Sequence, residues 1–288
     1  METPRTTPAA DRSSFAPAPT QALERVEAQV WNELYVTAPS DVASACGLDL
    51  TTIGGAAALS ASRVDVLAFN RVVGLGLDAP ATRETLARIV DHYEARGVRR
   101  FFVQVSPAAT PAALFEELRR AGFRHHNNWV KLYRGVEPPP EVATDLRIER
   151  VEAEHADAFA GLIAPAFDWP DRVRPLFARL VGRPGWRHYV AFDGDVPAAT
   201  AALYTHGTYG YFGPAATHPD YRRRGAQSAL IARRIRDART LGCETLVTET
   251  AEDHPERPAP SFRNMRRMGF EVAYLRPNYL RESSPSAR

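Results

Sequence analysis

The sequence predicts an α/β protein built of two tandem units, each a mixed sheet flanked by helices. Three observations carry this expectation. Strand-like and helix-like segments alternate through residues 209–275. The order helix, Gly, strand, helix, Arg-Arg-x-Gly-Phe occurs twice, ending at Phe123 and again at Phe270. The stiff stretch Glu137-Pro138-Pro139-Pro140-Glu141 lies between the two occurrences.

In chain order, residues 1–20 hold Pro4, Pro8, Pro17 and Pro19 among Thr, Ala and Ser, the composition of a disordered tail. The first unit is expected over residues 21–136. Inside it, residues 66–76 read as a strand and loop, 83–96 as a helix and 97–105 as a turn and strand. A second helix from about Pro111 runs into Arg119-Arg120-Ala121-Gly122-Phe123. Asn70 and Arg71 either face a ligand or belong to a solvated loop. Residues 137–144 form the expected linker, 145–282 the second unit, and 283–288 a short tail.

The second unit holds the most informative stretch of the chain. Residues 209–217 read as a strand with a defect at Gly213-Pro214, because Pro cannot donate to a sheet ladder. A Pro219-Asp220 turn follows, and Arg222-Arg223-Arg224-Gly225-Ala226-Gln227-Ser228 then opens directly into a helix. Ala229, Leu230, Ile231, Ile235, Ala238 and Leu241 recur there at helical spacing, and Gly242 is a natural stop. The first N–H groups of a helix lack internal partners and sit at the positive end of its dipole, so they attract anions. Gly225 lets the backbone approach a phosphate, Ala226 leaves room beside it, and three arginines add charge. The combination predicts a cradle for a diphosphate. Residues 245–250 read as a short buried strand, Ser261 as the cap of a helix over 262–268, and 272–275 as a closing strand.

These residues resemble the GNAT superfamily of acyl-CoA-dependent N-acetyltransferases, whose signature is Arg/Gln-x-x-Gly-x-Gly/Ala between the fourth strand and the third helix. Arg222 and Gly225 match the first two marked positions. Gln227 departs at the third, where its amide either narrows the cradle or points outward. The resemblance covers roughly residues 146–280. It implies a twisted, largely antiparallel sheet in each unit and acetyl-CoA as the acyl donor. It also implies a splay between the fourth and fifth strands that admits the pantetheine arm. Ala215, Ala216 and Thr217 would then meet the arm through their backbones, and Arg222, Arg223, Arg224, Gly225, Ala226, Gln227 and Ser228 would hold the diphosphate. The first unit reads as a degenerate copy, since Gly74-Leu75-Gly76-Leu77-Asp78 offers a diphosphate no positive charge. It is expected not to bind CoA.

The resemblance implies transfer of an acetyl group to an amine of a small molecule or peptide. Such a transfer needs a deprotonated amine, a polarised thioester and a proton for the leaving thiolate. Glu249, at the end of its strand, is the expected base; the other reading is a strand end that faces solvent. The family's usual proton-donating Tyr position is Met265 here, and its usual Asn position is Pro258. Those departures leave a second class open, a non-catalytic acyl-CoA-binding or regulatory protein on the same fold. Tyr209, Tyr211 and His206 either shape the acceptor pocket or serve packing and a hairpin turn.

Composition narrows the field further. A hydrophobic content of 44% with 24% charged residues is that of a globular chain. The net charge of +2 argues against nucleic-acid binding, and no long apolar run suggests a membrane span. Lys131 is the only lysine. Two cysteines, Cys46 and Cys243, cannot form a disulfide framework, and the eight histidines show no metal-ligand spacing. A cytoplasmic protein without a metal is expected; the oligomeric state is left open.

Overall fold

A computed structural model describes residues 19–282. Apart from residues 19 and 20, the expected tails lie outside the described residues. The first unit runs α1 (Thr20–Val36), α2 (Ser40–Cys46), β1 (Leu48–Ile53), β2 (Ala56–Ala61), β3 (Arg71–Val73), α3 (Arg83–Ala95), β4 (Arg100–Gln104), α4 (Leu114–Arg120) and β5 (Arg124–Arg134). The second runs β6 (Arg147–Val151), α5 (Ala156–Ala166), α6 (Arg174–Ala178), β7 (Trp186–Asp193), β8 (Val196–His206), β9 (Tyr209–Thr217), α7 (Ala226–Thr240), β10 (Thr245–Ala251), α8 (Pro260–Arg267) and β11 (Glu271–Glu282). From the paired opening helices onward the two orders are the same. Residues 137–144 carry neither helix nor strand.

All eleven strands join one sheet, in the order β1-β2-β3-β4-β11-β5-β10-β9-β8-β7-β6. Most pairs are antiparallel; β3 with β4 and β9 with β10 are parallel, each after a helical crossover. The last strand of each unit is exchanged. β11 pairs with β4 of the first unit, Asn278 opposite Gln104, while β5 pairs with β10 of the second, Lys131 opposite Glu249. β5 and β11 then pair with each other at the centre, where Leu275 faces Val130. The segments on either side of residues 137–144 therefore share backbone hydrogen bonds as well as a core.

Side-chain alternation on the strands divides the core by face. Leu23 and Val30 of α1, Phe159 of α5 and Phe177 of α6 pack with Val190 and Val247 on one face. Leu230, Ile235 and Phe270 pack with Leu246 on the other. Leu86, Ile89 and Leu118 cover Phe101 and Val103 in the first unit.

Three local expectations are corrected. The strand expected over residues 66–76 shrinks to β3, because residues 67–69 form a 3-10 turn held by Asn70, whose amide bonds Ala61, Val64 and Val66. Asn70 and Arg71 are buried, so the solvated-loop reading of them does not hold. Ser261 does not cap α8: it lies inside the first turn, and Asp253 accepts from Ala259 N at 2.7 Å instead.

His188 on β7 is buried against Phe159 and Trp186, and neither ring nitrogen has a hydrogen-bond partner among the described residues. Burial alone pulls its pKa down to about 3. The folded state thus binds no proton there while the unfolded chain binds one below about pH 6.5, so this residue's contribution to stability falls as pH falls between those values. His188→Phe is expected to flatten the acid side of the unfolding free-energy curve. The parent should lose about 1.4 kcal/mol per pH unit more than the variant in that window, measured by urea unfolding.

Candidate active site

Strand β9 departs from regular pairing where the sequence predicted. Ala201 faces Ala215 and Leu203 faces Phe212, so Ala202 alone stands opposite Gly213 and Pro214. Pro214 has no N–H to offer, and Arg234 of α7 reaches the Ala202 carbonyl instead, at 3.0 Å. The Arg234 guanidinium is fully buried and lies 4.2 Å above the Phe212 ring; burial pulls its pKa down to about 9, which leaves it charged at neutral pH. Arg234→Met is expected to leave the Ala202 carbonyl without a partner and cost about 1–3 kcal/mol. Urea unfolding checks the cost, and a weaker CoA interaction in calorimetry would show that the bulge has relaxed.

Past the bulge, β9 and β10 part. Their parallel pairing covers only Thr245 to Val247 against Tyr209 to Tyr211. Thr248 Oγ1 then donates to the Phe212 carbonyl at 3.1 Å, and β10 follows β5 through Glu249, Thr250 and Ala251. The edge of β9 from Gly213 to Thr217 keeps β8 on one side and, among the described residues, has no ladder partner on the other. Ala215, Ala216 and Thr217 lie on that edge.

The open edge runs into the head of α7. Arg222 is extended, at φ −64° and ψ 154°, while Arg223 at φ +67° and Gly225 at φ +78° are left-handed, so the chain turns sharply into the head of α7. A positive φ at Arg223, which is not glycine, is strain held in place by its surroundings. Among the described residues, the N–H groups of Arg223, Arg224, Gly225, Ala226, Gln227 and Ser228 have no hydrogen-bond acceptor. Gly225 is required twice over: by its φ, and because a Cβ would sit 2.3 Å from the carbonyl oxygen of Ala143.

The end of the expected linker clamps this loop. Thr144 Oγ1 donates to the Arg224 carbonyl at 2.8 Å, and the Arg224 guanidinium pairs with Asp145 and, at 2.7 Å, with Asp193. Arg224 thus offers an anion its backbone, while Arg222 and Arg223 are exposed and free to turn toward one. Gln227 is engaged by α8, a role that neither expected reading named. Its amide donates to Ser261 Oγ at 2.9 Å and accepts from Asn264, tying the start of α7 to α8. Met265 packs in the core.

The corresponding place in the first unit is filled. Thr82 caps α3 by accepting from Thr85 N at 3.1 Å. Ala81 N donates to the Thr110 carbonyl and Thr110 N to the Gly76 carbonyl, both at 2.8 Å. A Cβ on Gly76 would lie 2.6 Å from the Thr110 carbonyl oxygen, so the two loops are in close contact.

Glu249 does not face bulk solvent. Its side chain is 12% exposed and pairs with Arg276, with Lys131 at 3.4 Å and with Arg71 at 3.8 Å. Glu27 of α1 also pairs with Lys131, with Arg276 at 2.5 Å and with Arg71 at 3.8 Å, and Glu24 pairs with Arg276 at 2.9 Å. Burial, and next the Glu27 carboxylate, push the Glu249 carboxyl above its ordinary value, against the pull of the three cations. Burial opposes charge on Glu27 as well, but Arg276, Lys131 and Arg71 outweigh it and hold that carboxyl well below the usual range. Tyr211 is buried beside the cluster, Tyr209 is half-buried, and His206 is exposed at the end of β8. None of the sequence patterns pointed to Glu24, Glu27 or Arg276. The one available signal was a lone lysine inside an apolar strand.

Residues 148–270 match the Acetyltransferase (GNAT) family. That match spans less than half of the chain and lies within its second unit. The fold of the chain is similar to that of a GCN5-related N-acetyltransferase from Kribbella flavida, with a TM-score of 0.62 at 17% identity over 92% of this chain and 97% of that one. It is also similar to a GCN5-related N-acetyltransferase from Sphaerobacter thermophilus, with a TM-score of 0.57 at 17% identity over 70% and 67%. A tandem GNAT protein from the clavulanic acid biosynthesis pathway gives a TM-score of 0.54 at 18% identity over 75% of each chain. Comparison with curated proteins gave no match. The fold is that of two tandem GNAT-like units, as the sequence led us to expect. Among the described residues, no group of His, Cys, Asp and Glu is placed to hold a metal, and no helix is long and apolar enough to cross a membrane.

Proposed function

We propose that this protein is an acetyl-CoA-dependent N-acetyltransferase acting on an amine of a small molecule or peptide, with one active site, in the second unit. One observation carries the proposal: the open edge of β9 leads directly into the unpaired N–H groups at the head of α7. A pantetheine arm can pair with such an edge as an added strand, and a diphosphate suits the N–H groups at the end of it. The unit boundaries, 21–136 and 145–282, belong to the same proposal. So does a cytoplasmic setting, to which the two free cysteines, Cys46 and Cys243, are suited.

In this reading Glu249 takes a proton from the acceptor amine. The amine nitrogen attacks the thioester carbonyl carbon, the C–S bond breaks, and the CoA thiolate takes its proton from water, since Met265 has none to give. A contrast within the chain supports the choice of base. Gln104 stands in β4 where Glu249 stands in β10, counted from the strand starts Arg100 and Thr245, and each faces the exchanged strand. The unit with the open cradle carries the carboxylate, and the unit with the filled one carries its amide counterpart.

Met265 favours the second reading, a binding protein without turnover. Incubating the protein with acetyl-CoA and a panel of primary amines, and following thiol release, separates the two. Thiol release that depends on an amine is the expected result. CoA binding with no release for any amine would favour the binding protein.

A further inference from the structure

The charges around Glu249 come from both units. Glu24 and Glu27 belong to α1, Arg71 to β3 and Lys131 to β5, all in the first unit; Glu249 and Arg276 belong to β10 and β11 in the second. Five of the six side chains are 0–2% exposed, and Glu249 at 12% is the one that reaches the surface of the cluster. A buried network of this kind is a poor source of stability, because well-packed apolar side chains of similar volume do as well or better. Its arrangement around one slightly exposed carboxylate calls for another explanation.

We propose that Glu27, Arg71 and Lys131 are positioning residues for Glu249, so that the first unit, which has no open cradle of its own, sets the direction and ionisation of the base used by the second. This rests on the reading of Glu249 as the base. The exchange of strands makes it possible: β5 brings Lys131 directly opposite Glu249, and β11 brings Arg276 beside it. Arg71 spans the two equivalent positions, donating to Gln104 Oε1 at 3.1 Å and lying 3.8 Å from Glu249 Oε1. Its guanidinium is fixed from the other side by the Trp31 ring at 3.6 Å. Lys131, as a compact point charge, supports a carboxylate without the forked geometry that would lock both its oxygens.

The groups that face Glu249 are Glu27 from α1, Arg71 from β3, Lys131 from β5, Tyr211 from β9 and Arg276 from β11; Glu24 and Tyr274 stand behind them, Glu24 pairing with Arg276 and Tyr274 donating to Glu24. Removing a positive neighbour should favour the protonated carboxyl, and removing a negative one should favour the ionised form. The test is the pH profile of kcat for amine-dependent thiol release. Lys131→Met is expected to move the acid limb up by roughly one pH unit, and Glu27→Gln to move it down by a similar amount. Lys131→Arg should return the limb toward the parent value. CoA affinity, read by calorimetry, should change little in all three, which separates a shifted base from a damaged fold. A variant that fails to fold is replaced by Arg71→Gln, whose limb should move up. Limbs that stay fixed while Glu249→Gln loses turnover would overturn the positioning role and leave the base in place. Full turnover in Glu249→Gln would remove the base itself.

Discussion

Gly225→Glu is expected to abolish CoA binding. The residue sits at φ +78° in the middle of the unpaired N–H groups, and its Cα faces the carbonyl oxygen of Ala143. Any side chain there forces either the loop or residues 143–144 to move. Glutamate adds a negative charge where the diphosphate would sit. Loss of two charge-assisted hydrogen bonds at about 1.5–3 kcal/mol each corresponds to at least a hundredfold in affinity. Gly225→Ala keeps the steric conflict without the charge and should bind more weakly than the parent but better than the glutamate variant. Calorimetry with CoA gives the order, and circular dichroism confirms that the sheet is intact. Normal binding by Gly225→Glu would mean that the diphosphate lies elsewhere.

The parts of the site that were legible in the sequence are those set by local chemistry. A proline inside a strand must interrupt its ladder, and Gly213-Pro214 does. An Arg/Gly loop running into a helix must leave N–H groups unpaired, and those of residues 223–228 are. The repeat was legible because each Gly-Phe ending follows the same order of helix, Gly, strand and helix. The illegible parts depend on pairings between distant residues. Nothing around residues 271–282 says that β11 will lie between β4 and β5, because either exchanged strand would satisfy its own alternation beside its own unit. Without that exchange, Lys131, Arg276 and Glu249 have no reason to meet. α1 is equally opaque: Glu24 and Glu27 look like ordinary solvated positions of an amphipathic helix, yet both are buried against the sheet. The role of Gln227 was missed for the same reason, since its partners Ser261 and Asn264 lie on another helix.

Glu249→Gln is expected to lower the turnover of amine-dependent thiol release by about 10²–10⁴-fold, the usual worth of a positioned general base. The amide has the shape of the carboxylate and can still accept from Arg276 and Lys131, so the side chain should stay in place. What it loses is the capacity to take a proton. The parent profile should fall on the acid side as Glu249 becomes protonated, and the limb should lie above the ordinary glutamate range, because burial and Glu27 raise this carboxyl. In the variant that limb should disappear, leaving a slow reaction that tracks only the fraction of deprotonated amine. Substitution also leaves the cluster with one uncompensated positive charge, so a lower melting temperature is expected alongside. Calorimetry separates these effects: if CoA affinity is retained while turnover collapses, the loss is chemical. Retained turnover with an unchanged acid limb would assign that limb to another group, with the acceptor amine as the next to test.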